Sequence, residues 1–131
     1  MTEQTPPDAL TAAKVVLLET RKRDGTWVNT PVNIATDGAH AYFRTPGRAS
    51  KNKRLRNFPD VRVAPCTWSG KATGPESVAT AHLLSGADAD AAARAIDHRF
   101  PILQRMIVRA THKVMRTPTL HYELTDFHSP D

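Results

Sequence analysis

The basic residues best suited to chemistry are concentrated in one short segment, Arg44–Arg56. It carries six of the 18 lysine and arginine residues of the chain and no aspartate or glutamate. An apolar run, Ala41–Phe43, precedes the segment, and Leu55 and Phe58, three residues apart, stand at its other end. This order predicts a strand, a basic loop and then a short helix. Cationic side chains at a helix start, together with the free N–H groups there, predict a site for an anion.

The composition is that of an ordinary globular protein with an excess of positive charge. The 131 residues, 40% apolar and 24% charged, suit one domain, residues 1–131, with its own core. The net charge of +5 favours an anionic ligand, and nucleic acid and nucleotide-like cofactors both qualify. Aromatic residues make up only 6% of the chain and are not interleaved with the basic residues, which argues against nucleic acid.

The sequence predicts neither a membrane-inserted nor a secreted protein. The longest apolar run, Val15–Leu18, is far too short to cross a bilayer. The first eight residues have neither the basic nor the apolar region of a secretory signal. Cys66 is the only cysteine, so an internal disulfide is excluded, and we expect a reducing, cytoplasmic environment.

Turn signals and apolar alternation divide the chain into short strands and a few helices. The turns Asp24-Gly25 and Asp37-Gly38 predict an antiparallel meander of three strands. Pro31, inside the second of these strands, favours an edge position or a backbone that faces a ligand. Six or seven mostly antiparallel strands with inserted helices predict a small barrel. The predicted strands are 13–20, 26–35, 39–45, 61–69, 77–84 and 119–126, and the predicted helices are 6–12, 51–56, 89–98 and 101–113.

Four segments, taken in order, resemble one branch of the pyridoxamine 5′-phosphate oxidase-like superfamily. The segments are Glu19–Val32, Tyr42–Thr45, Lys51–Asn57 and Val61–Cys66. The group they are most similar to is the set of actinobacterial members that use the deazaflavin coenzyme F420. The similarity is good over residues 17–74 and weak beyond residue 85. No single segment is specific alone, but the ordered set of four is.

This resemblance implies a mainly β (α+β) fold, a six-stranded antiparallel split β-barrel with short helices. It also implies a homodimer with a flavin or deazaflavin in a groove between the subunits. In such proteins the ring lies along the second strand, here Asn29–Val32. The phosphate is held by the Arg-Thr end of a strand and by a lysine in the turn before the helix, which correspond here to Arg44, Thr45 and Lys51. Ala49 departs from the family pattern, which usually has serine there. The predicted cofactor-binding residues, taken either from the resemblance or from their positive charge, are Thr30, Pro31, Val32, Arg44, Thr45, Lys51, Lys53 and Arg54.

The residue types agree with this cofactor. F420 carries a phosphodiester and a tail of glutamate carboxylates, which arginine and lysine side chains can neutralise. The hydride chemistry belongs to the cofactor, and the protein supplies position and electrostatics. No catalytic acid, base or nucleophile is identified, none of the six histidines has metal-ligand spacing, and none has an evident orienting partner. The prediction is an F420-dependent oxidoreductase acting on a small organic substrate. The alternatives are an FMN-binding oxidoreductase and a non-catalytic cofactor-binding protein.

Each of these features also has a purely structural explanation. Lys51–Arg56 could be the solvated face of a short helix, because most charge runs are. Arg44 could form a surface ion pair, and Thr30-Pro31 could mark only an edge strand. Trp68 could belong to the core or could line a pocket at a dimer interface.

Overall fold

The computed structural model describes residues 6–101 and 119–130. The helix predicted over 101–113 falls almost entirely outside these ranges. Three helices and seven strands are described, and α3, with 14 residues, is the longest helix. None of the described helices is long and apolar enough to span a bilayer. The elements are α1 (Asp8–Ala12), β1 (Val15–Arg21), β2 (Trp27–Asn33), β3 (Ala35–Asp37), β4 (His40–Pro46), α2 (Ser50–Asn57), β5 (Asp60–Pro65), β6 (Ser77–Leu83), α3 (Gly86–Arg99) and β7 (Thr119–His128).

The described strands form one antiparallel sheet with the order β2-β1-β5-β6-β7-β4-β3. The mainly β fold is therefore confirmed, but the sheet has seven strands where six were expected. The extra strand arises because the predicted strand 26–35 divides at Ile34, which is fully buried and donates its backbone N–H to the Lys14 carbonyl. The predicted three-strand meander is correct only in part. Both Asp-Gly turns join antiparallel strands, β1 to β2 and β3 to β4, but β2 and β4 do not pair.

A single residue connects the two ends of the sheet. β2 and β3 stand at opposite ends of the strand order, yet only Ile34 separates them in the chain. Since consecutive Cα atoms are about 3.8 Å apart, the two ends of the sheet must approach each other at this point. The result is an antiparallel half-barrel, compatible with a split barrel.

The inner face of the curled sheet holds the main core. Alternate residues of β4 illustrate it: Ala41 and Phe43 are fully buried among the apolar side chains of the opposite strands. Phe43 stacks against Tyr122 of β7, with ring centroids 5.0 Å apart. A second, smaller core lies on the outer face, where α3 covers β3 and β4. It is formed by Ala35, Tyr42, Ala92, Ile96 and Phe100.

A polar cluster lies at the edge of the contact between α3 and the sheet. Arg44 of β4 forms an ion pair with Asp97 of α3, with 2.8 Å between Nη1 and Oδ1. His121 of β7 pairs with Arg44 across the strands, and its Nε2 is buried without a hydrogen-bond partner. Burial lowers the pKa of His121, and the charge of Arg44 lowers it further, against the opposing effect of Asp97 and Asp90.

The lowered pKa of His121 predicts a loss of stability in mild acid. Below the ordinary value of 6.5, the unfolded chain binds a proton at this position more readily than the folded chain. The free energy of unfolding is therefore expected to fall as the pH drops through 6.5 toward the folded-state pKa. Urea denaturation at pH 7.5 and 5.5 measures this change. His121→Gln should show a smaller loss than the wild type, and equal losses in both proteins would contradict the assignment.

Candidate cofactor-binding site

The position of α2 is set by Asn52, a buried residue that the sequence analysis did not single out. Its side-chain nitrogen donates to the carbonyls of Pro46 and Gly47, at 2.9 and 3.1 Å. Its side-chain oxygen accepts the Tyr122 hydroxyl at 2.9 Å and lies 3.3 Å from the Thr45 hydroxyl. Asn52 is 3% exposed and Thr45 2% exposed, so this network is internal. It ties the first turn of α2 to the end of β4 and to β7.

The start of α2 is open to an anion. Ala49 is the N-cap residue and makes no side-chain capping bond, and the first turn contains no acidic residue. First-turn N–H groups that no side chain caps, together with the helix dipole, favour negative charge. The Thr45 hydroxyl is turned inward, where it lies 2.8 Å from the Pro46 carbonyl oxygen. Ser50, which is exposed, is therefore the hydroxyl better placed to replace the serine missing at Ala49.

Lys51 lies in the first turn of α2 and is half-buried. Neither of the two ion pairs among the described residues includes it. Burial lowers the pKa of Lys51, and the neighbouring charge of Arg54 lowers it further. A partly desolvated cation without a carboxylate partner is stabilised by an incoming anion, which marks Lys51 as a candidate ligand-binding residue.

The lowered pKa of Lys51 predicts pH-dependent binding of a phosphate-bearing ligand. The phosphate binds the protonated amine, so the affinity should fall as the pH rises and Lys51 loses its proton. Because the pKa of Lys51 is lowered, this fall should begin at a lower pH than for an ordinary lysine of pKa 10.5. Titrations with FMN between pH 8 and 10, above the phosphate's own ionisation, measure the effect. Lys51→Arg should remove the pH dependence, because arginine stays protonated throughout this range. A decline that persists in the arginine variant would assign it to another group.

β2 is an edge strand, which confirms the position predicted from Pro31. It pairs only with β1, so its other side has backbone groups that no described strand engages. Pro31 is exposed and packs against the turn that contains Gly70. A Cβ atom added to Gly70 would lie 3.3 Å from the proline ring. Thr30 is half-buried, whereas the side chain of Val32 belongs to the main core. Val32 can therefore serve a ligand only through its backbone.

Arg54 connects α2 to the inner face of β1. Its Nε donates to the Thr20 hydroxyl at 2.6 Å, and Thr20 is 1% exposed. Thr20 pairs with Val28 of β2, which makes Thr30 its diagonal neighbour, roughly 7–8 Å away on the same face. The structure therefore places Thr30 and Arg54 on one side of the barrel. Lys53, also on α2, is exposed.

Arg44 is not brought together with the cations of α2. Neighbouring side chains of a strand point to opposite faces, and Thr45 points inward to Asn52. Arg44 accordingly points outward, where it pairs with Asp97 beneath α3. The ion-pair alternative considered from the sequence is the arrangement found. Direct phosphate contacts by Arg44 and Thr45 remain predictions.

The outer face carries a histidine with an orienting partner, contrary to the sequence analysis. His40 Nδ1 lies 2.6 Å from a carboxylate oxygen of Glu123, and the ring stacks on Tyr42 with centroids 5.7 Å apart. This pair stands at the start of β4, roughly 20 Å along the strand from Pro46. Trp68 is 69% exposed, which excludes the core alternative and leaves the pocket at a dimer interface as a prediction. No group of three or more potential metal ligands occurs within residues 6–101 and 119–130.

No protein-family model and no curated protein matches the sequence. Solved structures do match. A protein of unknown function from Agrobacterium tumefaciens gives a TM-score of 0.67 at 19% identity, over 91% of this chain and 51% of that chain. A candidate pyridoxamine 5′-phosphate oxidase from Listeria innocua gives 0.55 at 15% identity, over 88% and 86%. A FAD-binding protein from Mesorhizobium loti gives 0.62 at 18% identity, over 96% and 91%.

These similarities establish the fold. Besides the candidate pyridoxamine 5′-phosphate oxidase and the FAD-binding protein, the matching structures include a haem-binding protein from Mycobacterium smegmatis and a haem-storage protein from Vibrio cholerae. The chain spans about half the length of the Agrobacterium protein. Identities below 20% do not transfer a cofactor or a reaction, so these must be argued from the residues described above.

Proposed function

We propose that the protein is an oxidoreductase that binds the deazaflavin coenzyme F420 and transfers a hydride between it and a small organic substrate. The observation that carries the proposal is Lys51, a partly desolvated cation without a carboxylate partner at an uncapped helix start. The four segments that resemble actinobacterial F420-dependent proteins support it, as does the flavin-binding protein among the structural matches. The proposal treats residues 1–131 as one cofactor-binding domain of a cytoplasmic protein.

The described residues fit such a cofactor. Lys51 and the first-turn N–H groups would hold its phosphate, and the edge backbone of Thr30, Pro31 and Val32 would bond the ring. Lys53 and Arg54 would neutralise the remaining negative charge. The cofactor would supply the hydride-transfer chemistry, and these residues would bind and orient it. The hydrogen-bond network around Asn52 keeps Lys51 in place. The buried Thr45 hydroxyl belongs to this network and so would help to position Lys51.

The proposal includes a homodimer with the cofactor at the subunit interface. Trp68 and Leu83 are large apolar side chains that are 69% and 54% exposed in one chain. Burying such side chains against a second copy is favourable by about 25 cal/mol per Å² of apolar surface. Arg44 could then contribute to the partner's cofactor site, although in one chain it faces α3.

Cofactor titration tests the proposal. The purified protein is titrated separately with F420, FMN and haem in one buffer, with fluorescence or absorbance as the readout and light scattering to give the mass. F420 is expected to bind most tightly, because the cations of α2 exceed what a single phosphate needs. Tighter binding of FMN would favour the flavin alternative, and tighter binding of haem would overturn both.

A non-catalytic cofactor-binding protein is the second candidate, because a haem-binding protein and a haem-storage protein are among the structural matches. Single-turnover oxidation of bound, reduced F420 by a panel of organic acceptors separates the two functions. Tight F420 binding without accelerated oxidation by any acceptor would favour the carrier.

A further inference from the structure

A polar groove separates α3 from the edge strand β3. It has a volume of about 590 Å³, which is within the range of sites that hold small organic molecules. One wall is formed by Thr36 and Asp37 of β3. The other wall is one face of α3, formed by Ala91, Arg94, Ala95, His98 and Arg99.

This groove is separate from the candidate cofactor site. On one flank of α3, Asp97 reaches Arg44, whose strand is paired with β7. Because an α-helix has about 3.6 residues per turn, Ala91, Ala95 and His98 lie on the other flank, which faces β3. Neither α2 nor β2 contributes to the lining of the groove. Its occupant is therefore expected to differ from the cofactor.

The two walls carry charges of opposite sign. Arg94 and Arg99 make the wall of α3 positive, and Asp37 makes the wall of β3 negative. Neither of the ion pairs found within residues 6–101 and 119–130 involves these three side chains. The groove thus keeps the carboxylate apart from the guanidinium groups and leaves both for an occupant.

Arg99 is positioned by uncharged groups. Its Nη2 donates to the Ala13 carbonyl at 2.9 Å, and its guanidinium lies 5.9 Å from the ring centroid of Phe100. Its Nε is buried and has no hydrogen-bond partner in the described part of the chain. A guanidinium that is already oriented loses little entropy on binding, and an anionic group in the groove would balance its charge.

A molecule with a single charge would suit only one wall. An anion would be attracted by Arg94 and Arg99 but repelled by Asp37, and a cation would meet the reverse arrangement. The small side chains of Ala91 and Ala95 leave space on the helix wall for an uncharged body between two charged ends. Complementarity to both walls therefore favours a molecule that carries both charges.

We propose that this groove binds a small zwitterion of the amino acid type. Its carboxylate would lie toward Arg94 and Arg99, and its ammonium group toward Asp37. β3 pairs only with β4 among the described strands, so the other edge of β3 and the Thr36 hydroxyl offer further hydrogen-bonding groups. The inference does not depend on F420 binding.

The first test varies the occupant. The probes are the ω-amino acids from 3-aminopropanoate to 6-aminohexanoate, whose lengths vary the separation of the two charges. The tightest-binding probe is then compared with the carboxylic acid and the amine of the same chain length, by calorimetric titration of the full chain at low salt. The zwitterion should bind about two- to five-fold more tightly than either, because each singly charged probe lacks one ion pair.

The second test varies the walls. Arg94→Gln and Asp37→Asn should each weaken binding of the best zwitterion about two- to five-fold, and Arg94→Gln should not affect the amine probe. Both residues are exposed, and asparagine suits the turn after β3 as well as aspartate does, so both variants are expected to fold. The matched control is Asp60→Asn/Lys71→Gln, at two exposed residues outside the groove, and it should bind as the wild type does.

A magnetic resonance titration shows where the probe binds. The ring-proton signal of His98, assigned by its absence from the spectrum of His98→Gln, should shift as the zwitterion saturates the protein. Absence of saturable binding, equal affinity for the three kinds of probe, or a His98 signal that does not move would overturn the inference. Tighter binding of the carboxylic acid than of the zwitterion would also overturn it, by making the groove a simple anion site.

Discussion

Replacing Asn52 by leucine is expected to lower the free energy of unfolding by about 3–5 kcal/mol and to abolish cofactor binding. The change removes an amide that bonds two carbonyls and two hydroxyls inside the protein. Each buried polar group left without a partner costs about 1–3 kcal/mol. The start of α2 also loses its attachment to β4, so Lys51 is no longer held in place. Urea denaturation and F420 titration measure the two effects.

Two controls make this prediction specific. Tyr122→Phe removes only one of the bonds to Asn52 and should cost about 1 kcal/mol. Asn57→Leu alters an exposed residue of the same helix and should change stability by less than about 0.5 kcal/mol. If Asn52→Leu were as stable as Asn57→Leu, the hydrogen-bond network would not determine the position of α2.

Lys51→Ala is expected to weaken F420 binding by about 1.5–3 kcal/mol, or roughly 10- to 150-fold, because a charge-assisted bond to phosphate is lost. The free energy of unfolding should change little, since the amine has no ion-pair partner among the described salt bridges. Fluorescence titration of the variant measures the loss. Lys14→Ala, at an exposed lysine outside α2 and β2, should bind normally. Unchanged affinity in Lys51→Ala would move the phosphate site elsewhere.

Local signals in the sequence predicted most of the secondary structure. The Asp-Gly turns, the basic helix and the alternation near the C-terminus depend on neighbouring residues, and the structure has all of them. The strand pairing was harder to predict. Nothing in residues 26–35 indicates that Ile34 crosses from one end of the sheet to the other, because that crossing depends on the curl of all seven strands.

The candidate site, too, could be predicted from the sequence only where it depends on neighbouring residues. The cationic character of α2 was evident from its sequence, but the outward direction of Arg44 depends on the pairing of β4 and on Asp97 of α3. Asn52 looked like an unremarkable polar residue because its partner Tyr122 is 70 residues away. His40 and Glu123, 83 residues apart, could be recognised as a pair only once β4 and β7 were placed side by side.

The place of β7 in the sheet has a consequence for biosynthesis. β7 is the last of the described strands in the chain, yet it lies between β6 and β4. Until it emerges from the ribosome, β4 and β6 each have an edge without a partner, and the inward face of Phe43 has no cover from Tyr122. Unpaired strand edges are templates for aggregation. We therefore expect the nascent protein to be more prone to aggregation before β7 is synthesised than a barrel assembled from consecutive hairpins would be.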